Sequence, residues 1–255
     1  MISTEIEFSA PETLAGVLSV LAEHEYDVTV LSGGMSLLPM MNLGLATPDR
    51  VVSLNRVDTL CTITEDAAEL VIGSRVRHVQ VAADLLIAQH CPALAMAASR
   101  IGDVQVRNRG TIGGSVSHAD PSADYLPVLV ASGASIVLES STGGRQLSAR
   151  EFFIYLMYTA PQPSELVTEI RVPNLPTDGV PLIRFARSRG ASRSSTRRRC
   201  CRLTDRGPVS RSAAWARGRW PSTSRGSAHQ AGTPMRSRPR AMPPLRPVST
   251  RPVTR

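Results

Sequence analysis

The sequence predicts an α+β fold, and three observations carry that reading. Apolar runs of strand length are interleaved with segments of helical periodicity over roughly the first 187 residues. Two Gly-Gly elements, Gly33-Gly34 and Gly113-Gly114, each lie beside small hydroxyl residues, the composition of a turn in which backbone amides meet an anion. From Ser188 onward the periodicity stops, and arginine, serine and proline take over.

Charge divides the chain at nearly the same place. The 255 residues carry 29 basic and 21 acidic side chains, for a net charge of +8, and every basic residue is arginine. Residues 1–180 hold ten arginines and twenty acidic residues, a net of −10. Residues 181–255 hold nineteen arginines and only Asp205, a net of +18. The high pI of 10.3 therefore describes the second part and misdescribes the first. Cys61, Cys91, Cys200 and Cys201 form no C-x-x-C pair, so neither an iron–sulfur cluster nor structural zinc is indicated. Packing of Cys61 and Cys91 in a reducing compartment is expected. The N-terminus lacks a signal-peptide pattern and no apolar window reaches membrane-spanning length, so a cytoplasmic location is expected.

In chain order, Ser9-Ala10-Pro11-Glu12 has the form of a capping box. Leu14, Val17, Leu18 and Leu21 behind it predict a helix over 11–24. Residues 27–31 read as a short buried strand running straight into Ser32-Gly33-Gly34-Met35-Ser36. Residues 50–54 read as another strand. Residues 60–64 and 69–73 pair as a hairpin, Arg77 to Gln89 carries one helical stripe, and Pro92 opens a further helix to about Ser99. His78 and His90 flank the first of these helices and read as surface or capping histidines. Residues 124–131 form an apolar segment and 135–139 a strand. Ser148-Ala149-Arg150-Glu151 is a second capping box, and 165–173 alternates as a half-buried strand.

Arg107 to Pro121 reads either as a phosphate cradle or as an ordinary Gly-rich turn. As a cradle it offers Gly113 and Gly114 at positive φ, with Thr111, Ser115 and Ser117 as hydroxyl donors. The second Gly-Gly element upstream favours a diphosphate held from two sides.

With both elements in hand, the chain resembles the FAD-binding subunit of molybdenum hydroxylases. This is the medium subunit of the carbon monoxide dehydrogenase type and the corresponding segment of xanthine dehydrogenase. The resemblance is carried by residues 32–41 and 101–115, then His118-Ala119-Asp120-Pro121, Phe152-Phe153 and 165–173, in order across roughly residues 1–187. It implies a two-lobed FAD-binding domain of the vanillyl-alcohol-oxidase (PCMH) type, divided into lobes 1–56 and 57–187. Carried over by position, Leu31, Ser32, Gly33, Gly34, Met35, Ser36 and Leu37 hold the FAD diphosphate together with Thr111, Gly113, Gly114 and Ser115. Ile101 and Asp124 fall at further cofactor contacts, Asp124 accepting hydrogen bonds from the sugar or base end. Ser32 stands where the family commonly has Ala, and Met35 where it has Gln or His, so one side-chain donor is lost. The resemblance further implies an oxidoreductase component that takes electrons from [2Fe–2S] clusters through FAD to an external acceptor. Its expected partners are a molybdenum-cofactor large subunit and a [2Fe–2S] small subunit. No catalytic acid or base is required, so His118, Asp120 and Asp124 read as turn, cap and cofactor-binding residues, and Arg107 and Arg109 as residues that fix the loop or meet a partner.

The family would continue past residue 187 with a compact α/β domain. Residues 188–255 instead predict a disordered basic tail or the product of a reading-frame shift in a GC-rich gene. A nucleic-acid-binding arm is the alternative in a different class, although Trp215 and Trp220 are among few aromatics and no RNA-binding module is visible. A stand-alone flavin oxidase or reductase of the same fold is the third reading, and it lacks a visible substrate domain.

Overall fold

A computed structural model describes residues 5–66 and 68–174, together with the backbone of three later strands. Its first part is built on a parallel sheet. β1 (Glu7–Ser9) leads to α1 (Leu14–His24), β2 (Val28–Leu31), α2 (Leu37–Asn42) and β3 (Arg50–Ser53), with strand order β1-β3-β2. Both pairings are parallel. Val17, Leu18 and Leu21, at the spacing the sequence shows, bury one face of α1 against Val52, Leu54, Val57 and Leu60.

The second part is a five-stranded antiparallel sheet covered by short helices. In chain order come β4 (Ile63–Asp66), β5 (Glu69–Gly73), α3 (His78–Ala83), α4 (Leu85–His90), α5 (Pro92–Ser99), α6 (Val104–Arg109), α7 (Ile112–His118) and α8 (Tyr125–Ser132). There follow β6 (Ser135–Ser140), β7 (Gly143–Ser148), α9 (Ala149–Phe152), the small hairpin β8 (Phe153–Tyr155) and β9 (Tyr158–Thr159), and β10 (Leu166–Pro173). The sheet order is β4-β5-β10-β6-β7. Leu70, Ile72, Ile136, Leu138 and Ile170 on its strands pack against Val81, Leu94, Tyr125 and Leu129 on the helices. The fold class is therefore the α+β one expected. Beyond residue 174, β11 (Leu182–Arg184), β12 (Arg198–Thr204) and β13 (Gly207–Ala213) form an antiparallel sheet. The other residues of the basic segment, Trp215 and Trp220 included, lie outside the described residues.

Several local expectations change. The N-cap of α1 is Thr13, whose hydroxyl accepts from Gly16 N at 3.1 Å, and not Ser9. Ser9 is taken by β1, which pairs with β3, and Glu12 turns instead to Arg56 at 3.3 Å. The stripe over Arg77–Gln89 is two helices. Asp84 is extended (φ −72°, ψ 132°), ends α3 and caps α4 by accepting from Ile87 N at 3.0 Å. A short side chain that bonds a neighbouring amide competes with the helix for that backbone. β10, read as half-buried, is the central strand, with Leu166, Val167, Thr168, Ile170 and Val172 all buried. The capping box at Ser148–Glu151 forms as expected. No helix among the described residues is long and apolar enough to cross a membrane.

The cap assignment separates two substitutions. Thr13→Ala should destabilise the protein by about 1 kcal/mol in urea unfolding. Ser9→Ala, which removes a hydroxyl with no hydrogen-bond partner among the described residues, should cost nothing measurable.

Candidate functional site

The two parts meet at a cleft of about 600 Å³. All of Leu31, Ser32, Gly33, Gly34, Met35, Ser36 and Leu37 line one side, and Ile101, Thr111, Gly113, Gly114, Ser115 and Asp124 line the other. The sequence-derived site residues thus converge on one place, although up to 93 positions separate them.

The two Gly-Gly elements are built differently. The upstream one leaves β2 as an open loop, with Gly34 at φ +75°, where a side chain would be strained. Gly33 is required for another reason: a Cβ there would sit 2.4 Å from Arg109 O and 2.7 Å from the Gly110 Cα. The downstream element is not a loop. Gly113 and Gly114 lie in the first turn of α7, neither has positive φ, and Thr111 is the N-cap. This corrects the positive-φ reading: Gly113 serves close packing, since a Cβ would lie 2.5 Å from Ser74 Cβ and 2.6 Å from Ser74 O. A Cβ on Gly114 would meet only Thr111 Oγ1, at 3.0 Å.

The amides differ in the same way. In the first turn of α7, Ile112 N donates to Val76 O at 2.9 Å and Gly113 N to Ser74 O at 2.8 Å. Gly114 N donates to Thr111 Oγ1 at 3.2 Å and Ser115 N to Thr111 O at 3.1 Å. Those donors are spent within the protein. In the upstream loop the N–H groups of Gly33, Gly34, Met35 and Ser36 have no acceptor among the described residues. The anion-binding nest is therefore the upstream loop, and the α7 side contributes a small-residue wall and the Ser115 and Ser117 hydroxyls. One hydroxyl pair ties the sides together, Ser32 Oγ to Thr111 Oγ1 at 2.9 Å.

Two features were not legible in the sequence. His78, read as a surface or capping residue, is buried and borders the cleft. Its N–H donates to Gly110 O at 3.0 Å, its Nδ1 lies 3.0 Å from the Tyr125 hydroxyl, and its ring occupies the space a Gly110 side chain would need. Burial lowers the imidazole to about 4, so it is neutral at pH 7. Burial, and secondarily the adjacent Asp124 carboxylate, raises the Tyr125 phenol. The other feature is Glu165, which borders the cleft from the start of β10 and is held at both oxygens by Arg145, at 2.7 and 2.8 Å. That guanidinium holds the carboxyl below its usual range. Arg145 and Glu165 stand twenty residues apart, and only the sheet register brings them together. Arg107 fixes the loop as expected, donating to Ile101 O at 2.9 Å and Gly102 O at 3.0 Å. Among the described residues no cluster of His, Cys, Asp and Glu is arranged to hold a metal ion.

Residues 4–175 match the family of FAD-binding domains in molybdopterin dehydrogenases. The chain belongs to this family. It is 37% identical over 173 residues to the carbon monoxide dehydrogenase medium chain of Hydrogenophaga pseudoflava, covering 68% of this chain and 60% of that one. It is 34% identical over 185 residues to subunit alpha of the 6-hydroxypseudooxynicotine dehydrogenase complex of Paenarthrobacter nicotinovorans, covering 72% and 62%. The fold matches the solved structure of the carbon monoxide dehydrogenase of H. pseudoflava that lacks the Mo-pyranopterin moiety, with TM-score 0.76 at 34% identity over 80% of this chain and 71% of that one. Quinoline 2-oxidoreductase of Pseudomonas putida 86 gives TM-score 0.74 at 29% identity, over 80% and 71%. The chain thus spans about three fifths of the length of the two sequence relatives.

The buried imidazole makes stability pH-dependent. His78 titrates near 6.5 when unfolded and near 4 when folded, so below pH 6.5 the unfolded state binds the extra proton. Stability present above pH 6.5 is lost as pH falls toward 4, by up to about 3 kcal/mol. Urea unfolding of the wild type at a series of pH values should show this limb, and His78→Gln should flatten it.

Proposed function

We propose that this chain is the flavoprotein component of a molybdenum hydroxylase, an oxidoreductase subunit that holds FAD in the cleft between its two lobes. The observation that carries the reading is the open row of N–H groups at Gly33, Gly34, Met35 and Ser36 in a loop that lines the cleft. Four adjacent donors without acceptors suit the diphosphate of a dinucleotide. The Ser36 and Ser115 hydroxyls add donors, and Gly114 keeps the facing wall low. Leu31, Leu37 and Ile101 offer apolar contact, and the buried Asp124 offers a carboxylate acceptor to ribose or base N–H and O–H groups. The residues present therefore fit the cofactor that the family binds.

Among the described residues no Arg borders the cleft, while Asp120, Asp124 and Glu165 do. A diphosphate there is held by neutral dipoles against a background of carboxylates. FAD, when bound, supplies one- and two-electron redox chemistry, which suits transfer between [2Fe–2S] clusters of a partner chain and an external acceptor. The chain's own residues bind and orient the group. His78 and Tyr125 hold the α3 and α8 ends in place, and Arg145 fixes Glu165 at the rim. A molybdenum-cofactor chain and a [2Fe–2S] chain are the proposed partners, and the cytoplasm the proposed location. Lobes 1–56 and 57–187 are the proposed domains.

The test is to saturate the full chain with FAD, remove free flavin and record the visible spectrum. A retained flavin spectrum is expected, and Gly34→Val and Asp124→Ala should each weaken retention by about tenfold or more, the loss of a charge-assisted hydrogen bond or of loop geometry. Folded wild-type protein that keeps no flavin would sink the reading. Because neutral donors hold the anion, raising salt from about 0.05 to about 0.5 M should change the affinity only a few-fold.

A further inference from the structure

The walls of the cleft are held in different ways. At the upstream loop and α7 they are fixed by packing: Gly33 lies against Arg109 and Gly110, Gly113 lies against Ser74, and Ile112, Gly113 and Val116 are buried. A third wall is the run that leads into β10. Thr159, Pro161 and Glu165 line the cleft there, yet none of residues 154–165 is buried. Burial resumes only at Leu166.

Ala160-Pro161-Gln162-Pro163-Ser164-Glu165 forms a strap along this side of the cleft and belongs to no strand. Its two prolines have no N–H to donate. Among the described residues, Ala160 N donates to Phe152 O at 2.9 Å, and every other hydrogen bond from the strap to another element is made by Arg145. From the edge strand β7 this one guanidinium reaches both ends of the strap. It donates to Ala160 O at 3.1 Å and to the two Glu165 oxygens at 2.7 and 2.8 Å. Within the strap, Gln162 N donates to Glu165 Oε2 at 2.7 Å and Glu165 N to Gln162 O at 2.9 Å. The carboxylate that Arg145 grips therefore also sets the turn of the strap.

The grip faces solvent, since the Arg145 side chain is 42% exposed and that of Glu165 13%. A segment with no buried side chain, held by solvent-facing hydrogen bonds, opens at lower cost than a packed wall. Arg145 does not itself line the cleft, so whatever it does there it does through Ala160 and Glu165.

We infer that Arg145 is a positioning residue for the ligand of the cleft: it holds the 160–165 strap closed, and letting go of the strap opens the path by which the ligand enters and leaves. The inference rests on the flavoprotein reading, which makes that ligand FAD. A dinucleotide that fills a cleft of about 600 Å³ displaces a wall in passing, and the strap is the wall that yields without unpacking a core.

The experiment uses the full chain. FAD release is timed by gel filtration at successive intervals after dilution, and uptake by mixing the flavin-free chain with FAD. Arg145→Gln and Glu165→Gln should each speed release about three- to fivefold, the order expected of one partly exposed bidentate pair. Uptake should become faster as well, so that the dissociation constant moves less than the release rate. Arg145→Lys, which keeps the charge and loses the planar fork, should fall between the wild type and Arg145→Gln. Unchanged release in both glutamine variants of a chain that retains FAD would overturn the proposal. Faster release with unchanged or slower uptake would also overturn it, because the site would then be damaged and not opened. So would slower release in Glu165→Gln beside faster release in Arg145→Gln, the opposite signs expected if the Glu165 carboxylate acts only by its charge on an anionic ligand. A folded wild type that keeps no flavin would overturn the flavoprotein reading itself, and this proposal with it.

Discussion

The site depends on one close approach. The chain at Gly33 passes so near Arg109 and Gly110 that a single added carbon would lie inside their backbone. A few ångströms away the Ser32 and Thr111 hydroxyls share a hydrogen bond. Between them these contacts set the relative position of the parallel-sheet lobe and the α6–α7 turn.

That same approach divides the labour between the two Gly-Gly elements. Gly113 lies against Ser74 as Gly33 lies against Arg109 and Gly110, and in both pairs the first glycine is used up in packing. Only in the upstream pair does the second glycine turn the chain into the left-handed region, which leaves a row of N–H groups without acceptors. Downstream, the N-cap hydroxyl of Thr111 and the carbonyls of Ser74, Val76 and Thr111 take the corresponding donors. Two segments alike in composition thus play unlike roles. One supplies donors to a ligand, and the other supplies a tight wall that lets the donors face it.

How much of this could be read from the sequence follows from where each signal resides. α1, β5, α5 and β10 carry their burial pattern in consecutive side chains, and their positions were legible to within a few residues. β1 was not, because Glu7, Phe8 and Ser9 are not buried; it is a strand only because β3 offers it a parallel edge. α7 was hidden by Gly113 and Gly114, whose low helix propensity argues against a helix that tertiary packing then imposes. The residues proposed for the site all fall along one cleft, whereas the reason for Gly113 was not legible. Neither His78 nor the Arg145–Glu165 pair could be placed, since burial of the one and the register of the other are properties of the assembled sheet and helices.

β10 shows why the cleft and both cores respond together. Leu166, at its start, is buried in the cluster that contains Val17, Leu21 and Val52, while Val167, Ile170 and Val172 belong to the cluster with Leu70, Ile136 and Tyr125. Glu165, Leu166 and Val167 also border the cleft. One strand therefore serves as a wall of the site and a member of both hydrophobic cores. Leu166 and Val167 point to opposite faces of the strand, as successive strand residues do, and the register against β6 shifts just after them, between Val167 and Glu169. The loop that leads into β10 from the apolar hairpin is pinned to this wall: Arg145 donates to Ala160 O at 3.1 Å as well as to Glu165, and Glu165 accepts from Gln162 N at 2.7 Å. The Glu165 carboxylate at the cleft edge is thereby fixed by the sheet and the loop at once, through Arg145 on β7 and Gln162 N in the loop.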